Sequence, residues 1–311
     1  MSNRLHIILH ALPREIDGVE RILDHLHRGA AFLQEEDKVI LDCSLNLSSE
    51  LTYWDTSSIP KEYFIEKWNV IERKADWTYK NYFDIVEDNS VLGCNDKRRN
   101  SIRKYADETE YFMYLDCDVF FSQYSLLYFF RTFEQIENEY AVITPELLKL
   151  WDQSWDMISS KRWSHYSYDS KIWTTYDHFK LDRECFDYLD SINIRTVPIV
   201  KFGGGLLTAI SSNLLKLIDI PDTFPGYGLD DTFVMACANH MKQVGKDVQQ
   251  YVLENIIVME NRRYKGADFN TYLNLLDDPT SDERGQVIKN KFRSIAEQNF
   301  SKELQLFKAR I

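Results

Sequence analysis

"YFMYLDCDVFF", residues 111–121, decides how the rest of the chain is read. Tyr111 to Leu115 have the length and apolarity of a buried strand, and the run then breaks at Asp116 and Asp118, two carboxylates flanking Cys117. A carboxylate in such a place is costly unless a cation or hydrogen-bond donors meet it. Something positive is therefore expected where this strand ends. At the carboxyl end of a strand in an open α/β sheet, side chains project into the crevice where ligands bind. Two carboxylates there suit a hard divalent ion, Mn2+ or Mg2+, with water and phosphate oxygens completing its shell. The plainer alternative is a strand-end turn whose aspartates cap the next element. Asp-x-Asp alone is common, and by itself it leaves both readings open.

Working outward, "RLHIILHALP" is a strand-length apolar run that stops at Pro13. "DGVERILDHLHRGAAFL" follows, with Asp17 as N-cap, Glu20 three residues on, and Ile22, Leu26, Ala30 and Leu33 at helical spacing. "KVILDC" is a second strand, so the chain opens strand–helix–strand, the signature of a parallel α/β sheet. Residues 44–83 read as irregular and aromatic-rich, and "KRRNSIRKYADE" as a basic helix leading into the Asp116 strand. "YAVITP", "TVPIVKFGGGLLTAI" and "NIIVME" supply further strand-like pieces, with "DDTFVMACANHMKQVG" a helix before the last. Ile288, Phe292 and Ile295, then Leu304, Phe307 and Ile311, mark one or two C-terminal amphipathic helices. The expected division is one domain over 1–285 and a helical extension over 286–311 packed on it.

The 311 residues are 44% hydrophobic, ample for a core, and carry a formal net charge of −12. That charge speaks against a broad nucleic-acid surface while leaving a local basic groove open. The five cysteines are scattered, with no CxxC pair, which fits a reduced intracellular compartment and disfavours zinc. No signal-like segment or membrane-length apolar run is visible, so a soluble, cytoplasmic protein is expected.

Two further stretches carry candidate chemistry. "GCNDKRRNSIRK", 93–104, concentrates positive charge just before the Asp116 strand, where it can face a pyrophosphate. Arg98 and Lys104 are assigned to a solvated helix face. "KFGGGLLTAISSNLLKLIDIPDTFPGYGLDDTFV", 201–234, holds three consecutive glycines that permit close backbone approach, then Gly226–Tyr227–Gly228 bending into Asp230 and Asp231 at a helix start. The helix dipole there is expected to keep a carboxylate ionised, fit to take a proton from a hydroxyl nucleophile. An acidic helix N-terminus with no chemistry is the alternative.

In this order the pieces resemble the GT-A glycosyltransferases, the family-2-like group and its galactosyltransferase-type relatives, over roughly residues 5–235. "VILDCS" ends in the acid Asp42. "GCNDKRRNSI" is similar to a G-x-x-x-x-R-N stretch, "YLDCD" to the D-x-D motif, and "FGGGLLTAI…FPGYGLDD" to the glycine-rich acceptor strand followed by G-W/Y-G-x-D/E-D. The resemblance implies a GT-A, Rossmann-like α/β fold and transfer of a sugar from a nucleoside diphosphate, UDP foremost, to an acceptor hydroxyl. It implies Asp116 and Asp118 as ligands of Mn2+ or Mg2+, and Asp231 as base of an inverting displacement with Asp230 beside it. Ala11, Leu12, Asp42, Arg99, Asn100, Asp116, Gly204 and Gly205 would line the donor. Arg262 and Arg263 could add charge near the leaving group. The continuation Cys43–Ser44–Leu45–Asn46 departs from the family's pattern after the base-contacting acid, and no histidine follows His240 as a third metal ligand. The aromatic-rich segment 151–180 is expected to shape the acceptor site, for a glycan or a hydroxymethylated, phage-type DNA base. A sugar nucleotidyltransferase would want a glycine-rich basic loop after the first strand, where "HALPREIDG" has only Arg14 and one glycine. A non-catalytic carbohydrate-binding protein would leave the paired acids unexplained.

Overall fold

A computed structural model describes residues 4–48, 60–87, 93–117, 119–147, 191–199, 204–260 and 281–311. Strand β1 (Arg4–Ala11), helix α1 (Ile16–Ala30) and strand β2 (Lys38–Asn46) open the chain, as their apolar periodicity predicts. The helix begins earlier than the expected Asp17 cap. A 3-10 turn over Pro13–Glu15 precedes it, and the Leu12 N–H donates to the Glu15 carboxylate at 2.9 Å. Glu20 instead accepts from Lys74 at 2.7 Å, bonding outward to a neighbouring helix.

The stretch read as irregular contains a helix and a strand, α2 (Lys61–Arg73) and β3 (Lys80–Val86). Phe64, Trp68 and Ile71, at i, i+4 and i+7, form α2's buried face. After them come α3 (Cys94–Tyr105), β4 (Tyr111–Leu115), β5 (Val119–Phe120), α4 (Ser125–Phe133) and β6 (Tyr140–Leu147). The last part comprises β7 (Ile194–Val197), β8 (Leu206–Ser211), α5 (Ser212–Ile218), α6 (Asp230–Gln243), β9 (Val248–Glu260) and α7 (Ser281–Arg310). Ile288, Phe292, Ile295, Leu304 and Phe307 thus lie on a single helix, with Ile311 just past its end; the helix starts at Ser281, ahead of the boundary expected at 285.

The described strands form one nine-stranded mixed sheet in the order β3-β2-β1-β4-β8-β6-β9-β5, with β7 also on β9. β1, β2, β3, β4, β6 and β9 run one way; β5, β7 and β8 run the other. This is the mostly parallel α/β architecture expected from the sequence.

Side chains alternate between the two faces of a strand. On β1, Leu5, Ile7, Leu9 and Ala11 join the core formed with α1, α2 and α4, while Ile8 faces the core formed with α3, α5, α6 and α7. On β4, Phe112 and Tyr114 belong to the second face. That alternation carries Asp116 toward α3 and α6.

Candidate active site

Three elements meet at the carboxyl end of β4: the first turn of α3, the segment before β8, and the start of α6. A register shift between β4 and β8 pairs Tyr114 with Thr208 but Leu115 with Leu206, leaving Leu207 as a bulge at φ 58°. Such bulges bend a strand and re-aim what lies beside it. Here the bulge brings the Gly205 carbonyl to accept the Asp116 N–H at 2.8 Å. A side chain at Gly205 would overlap the Asp116 carboxylate, so this close approach requires glycine.

Among the described residues, the cation that meets the strand-end acid is Arg98, where a divalent ion was expected. Its guanidinium, 5% exposed, donates from Nη2 to Asp116 Oδ1 at 3.0 Å and from Nη1 to Asp230 Oδ2 at 2.9 Å. It also lies 4.4 Å from the centre of the Tyr114 ring. Burial by itself disfavours its charge, but Asp230 and the other surrounding groups outweigh it and hold the pKa well above the ordinary arginine value. Placing Arg98 on a solvated face was therefore wrong. Asn95, Arg98, Arg99 and Ile102 are buried at i, i+3, i+4 and i+7, so they share the inward face of α3. Counting back from Ile102, the helix's conspicuous apolar residue, would have identified that face. Lys104 lies on the exposed side as expected.

Arg99 also differs from expectation. Its guanidinium binds Asp96, the carbonyls of Pro221 (3.2 Å) and Phe224 (3.3 Å), and Asp222 at 2.9 Å. It therefore anchors the segment leading to α6. Asn100 is exposed on α3.

Asp42 does not end its strand. β2 continues to Asn46, and Asp42, 1% exposed, accepts from His6 Nε2 at 3.1 Å and from Lys97 Nζ. Burial alone would raise its pKa, but the His6 hydrogen bond and Lys97 outweigh burial and hold it at about 2. Lys97 also reaches Asp84 at 3.3 Å. Asp42 is thus held in an internal ion cluster with His6, Lys97 and Asp84. Ala11 and Leu12, at the end of β1, are 0% and 1% exposed. Beside them is His10, which the sequence reading passed over. Its Nδ1 pairs with Ser44 Oγ at 2.9 Å, and burial, Lys97 and Arg98 lower its pKa to about 3. It is a neutral imidazole at every ordinary pH.

Asp230 and Asp231 open α6 after Gly226, Gly228 and Leu229, all in the left-handed region at φ 70°, 92° and 63°. Asp230, 3% exposed, is paired with Arg98. Asp231 Oδ1 accepts from the Thr232 N–H at 2.6 Å and its hydroxyl at 3.2 Å, whereas Oδ2 faces Gly204, 3.3 Å from where a Cβ would stand. Burial, then the charge of Asp230, pushes the Asp231 pKa up to about 6, overriding the Thr232 hydrogen bonds. The helix N-terminus was expected to lower it; desolvation wins.

Asp118, Gly203, Arg262, Arg263 and the segment 151–180 lie outside the described residues. Among those described, no group of three or more His, Cys, Asp or Glu residues could hold a metal ion. Asp116 meets the requirement for one carboxylate ligand, since its side chain is 43% exposed and reachable from the crevice. No described helix is long and apolar enough to cross a membrane.

No protein-family model matches the chain, and no curated protein matches it significantly. Among solved structures, S. aureus TarS residues 1–349 in complex with UDP is similar at 12% identity, covering 96% of this chain and 72% of that one, with a TM-score of 0.47. Glucosyl-3-phosphoglycerate synthase from Mycobacterium tuberculosis in complex with phosphoglyceric acid is similar at 13% identity, with coverages of 88% and 78% and a TM-score of 0.43. The same enzyme in complex with Mn2+, UDP-glucose and glycerol 3-phosphate gives 13% identity, coverages of 80% and 69%, and a TM-score of 0.41.

Proposed function

We propose that this protein is a glycosyltransferase that moves a sugar from a nucleoside diphosphate, UDP foremost, to an acceptor hydroxyl with inversion at the anomeric carbon. One observation carries the reading: Arg98 binds Asp116 at the strand end and Asp230 at the helix start, with Asp231 directly beside them. A strand-end acid, a fixed cation and an acid of raised pKa thus converge on one crevice. Their order along the chain is that of the GT-A resemblance.

Within this reading Asp231 is the general base. It takes the proton of the acceptor hydroxyl as that oxygen bonds to the anomeric carbon and the bond to the diphosphate oxygen breaks. The bonding pair leaves with the diphosphate. A pKa of about 6 leaves Asp231 ionised at neutral pH yet basic enough to accept a proton in the transition state. Asp230, fixed by Arg98, keeps negative charge beside it and sustains that elevated value. Attack assisted from the face opposite the leaving group gives inversion.

Asp116, with Asp118, would hold Mn2+ or Mg2+ together with diphosphate oxygens; when bound, such an ion neutralises charge developing on the leaving group. Arg98 orients the Asp116 carboxylate for that role. The donor would lie along the ends of β1 and β4, beside the Asp116 carboxylate that Gly205 admits and the Asp231 carboxylate that faces Gly204. The acceptor would be a glycan or another hydroxylated molecule, a modified DNA base included.

The test is a screen of UDP-, GDP- and dTDP-sugars for nucleoside diphosphate release, with and without Mn2+, against Asp231→Asn. Release by the wild type that falls at least about 100-fold in Asp231→Asn supports the reading. No release from any donor, together with no calorimetric binding of UDP, GDP or dTDP beyond that of inorganic phosphate, would overturn it.

A further inference from the structure

The turn ahead of the two acids is clamped from both sides. On one side is the first turn of α3. Asn95 N–H donates to the Gly226 carbonyl at 3.0 Å, Asp96 Oδ2 accepts the Gly226 N–H at 2.7 Å, and Asn95 Nδ2 donates to the Gly228 carbonyl at 2.9 Å. A side chain at Gly93 would overlap the Gly226 carbonyl, so the two backbones are in direct contact.

On the other side is α7. A Cβ on Gly226 would lie 2.6 Å from ring carbons of Phe292, and one on Gly228 would stand 3.7 Å from Arg293 Cβ and Cγ. Phe292 is 6% exposed although it lies on a helix that is largely open to solvent. Two turns on, Phe300 stacks on Phe224 with ring centres 6.1 Å apart and planes at 3°, and meets Phe233 of α6 edge-on at 5.8 Å.

We propose that Phe292 is a positioning residue for the Asp230–Asp231 pair, acting through the Gly226–Gly228 turn, so that the C-terminal helix is a working part of the active site. The hydrogen bonds from α3 fix the turn's height, but they leave its outer face uncovered. Gly226 and Gly228 hold left-handed φ values at which glycine is the most mobile residue available, so the turn keeps one shape only while something presses on that face. The Phe292 ring does so. Two residues after Gly228, the chain enters α6 at Asp230, so displacement of the turn moves both acids relative to Arg98 and Gly204. The catalytic half of this inference rests on the reading of Asp231 as the base; the mechanical half does not.

The experiment compares Phe292→Ala with Phe307→Ala, which removes a ring from the same helix at a buried site packed against His240. Both should lower the urea midpoint. Only Phe292→Ala should accelerate amide hydrogen exchange of residues 224–233, by about tenfold or more, since local openings are read segment by segment. Only Phe292→Ala should lower kcat at unchanged affinity for UDP, and Phe292→Leu should recover most of both effects. Should Phe292→Ala fail to fold, Phe292→Leu is compared with Phe307→Leu, with the same contrast expected at smaller size. Equal exchange of 224–233 in the paired Phe292 and Phe307 variants would overturn the inference. So would wild-type kcat in a Phe292 variant whose turn exchanges faster. If the wild type transfers no sugar, the functional reading falls, while hydrogen exchange still decides whether Phe292 holds the turn.

Discussion

Replacing Asp231 with Asn should damage activity and stabilise the fold, and the two effects share one cause. The Asp231 carboxyl has its pKa raised from 3.8 to about 6 by burial and by Asp230. A group whose pKa is higher in the folded state favours folding when protonated. Its contribution is therefore fully present below pH 3.8 and is lost as pH rises through about 6. About two pKa units at ~1.4 kcal/mol each amounts to about 3 kcal/mol, an upper bound because the residue keeps part of its surface open to solvent. Asparagine is nearly isosteric and carries no charge at any pH, so it avoids that cost. Urea denaturation at pH 4 and pH 8 is the assay. The variant should match the wild type within error at pH 4 and exceed it by roughly 1–3 kcal/mol at pH 8. Over the same range wild-type turnover should rise with a midpoint near 6, and Asp231→Asn should fall by about 10²–10⁴-fold without that limb. A stability difference that does not grow between pH 4 and pH 8 would refute the claim that Asp231 is held ionised at a cost.

Removing Asp230 should do the reverse: Asp230→Asn leaves Arg98 underpaired, costing about 3 kcal/mol of stability in urea, and moves the limb of the pH–rate profile below 6 because a neighbouring negative charge is gone. Asp42→Asn leaves the buried Lys97 with the exposed Asp84 as its carboxylate partner and should cost about 3 kcal/mol at pH 7; because Asp42 titrates at about 2, its stabilising share is present above pH 3.8 and is lost as pH falls through about 2. UDP affinity in Asp42→Asn, measured by calorimetry where the variant remains folded, should stay within about threefold of wild type, and a tenfold loss would restore Asp42 as a nucleotide contact. Gly205→Ala should cut turnover by at least about 100-fold, since a methyl group there occupies the Asp116 carboxylate position; near-normal kinetics would mean that the bulge at Leu207 is not needed.

The strand–helix–strand order of β1, α1 and β2 was sufficient to predict a parallel opening to the sheet, and burial on both faces shows as near-continuous apolar runs such as "LHIIL". α2 escaped notice because its buried stripe is narrow: Phe64, Trp68 and Ile71 are separated by Glu66, Lys67 and Asn69, so its mean polarity resembles a loop. β3 has only Val86 fully buried and carries Lys80, Asn81 and Asp84, as an edge strand should. At the site, the acids were legible as residue types, since carboxylates at strand and helix ends are conspicuous. Their partners were not. Three consecutive cations, Lys97, Arg98 and Arg99, look interchangeable in a sequence, yet each turns to a different acid: Asp42, the Asp116–Asp230 pair, and Asp96 with Asp222.

That division explains why adjacent aspartates can hold different roles. Asp230 and Asp231 have the same chemistry and sit one residue apart, about 100° around the helix. The step turns one toward α3, where Arg98 meets it, and the other toward Gly204, where Thr232 alone among the described residues donates to it. The carboxylate held by the buried guanidinium is committed to that ion pair. The one left in a desolvated position next to that fixed charge is the better base. Pairs of acids whose environments push them apart are how a site obtains two functions from one residue type. Here the separating agent is a single arginine, and the same arginine holds the strand-end acid. Any shift in Arg98 therefore alters the Asp116 carboxylate and the neighbourhood of Asp231 together. That linkage is the reason for assigning Asp116, Asp230 and Asp231 to one reaction rather than to independent surface features.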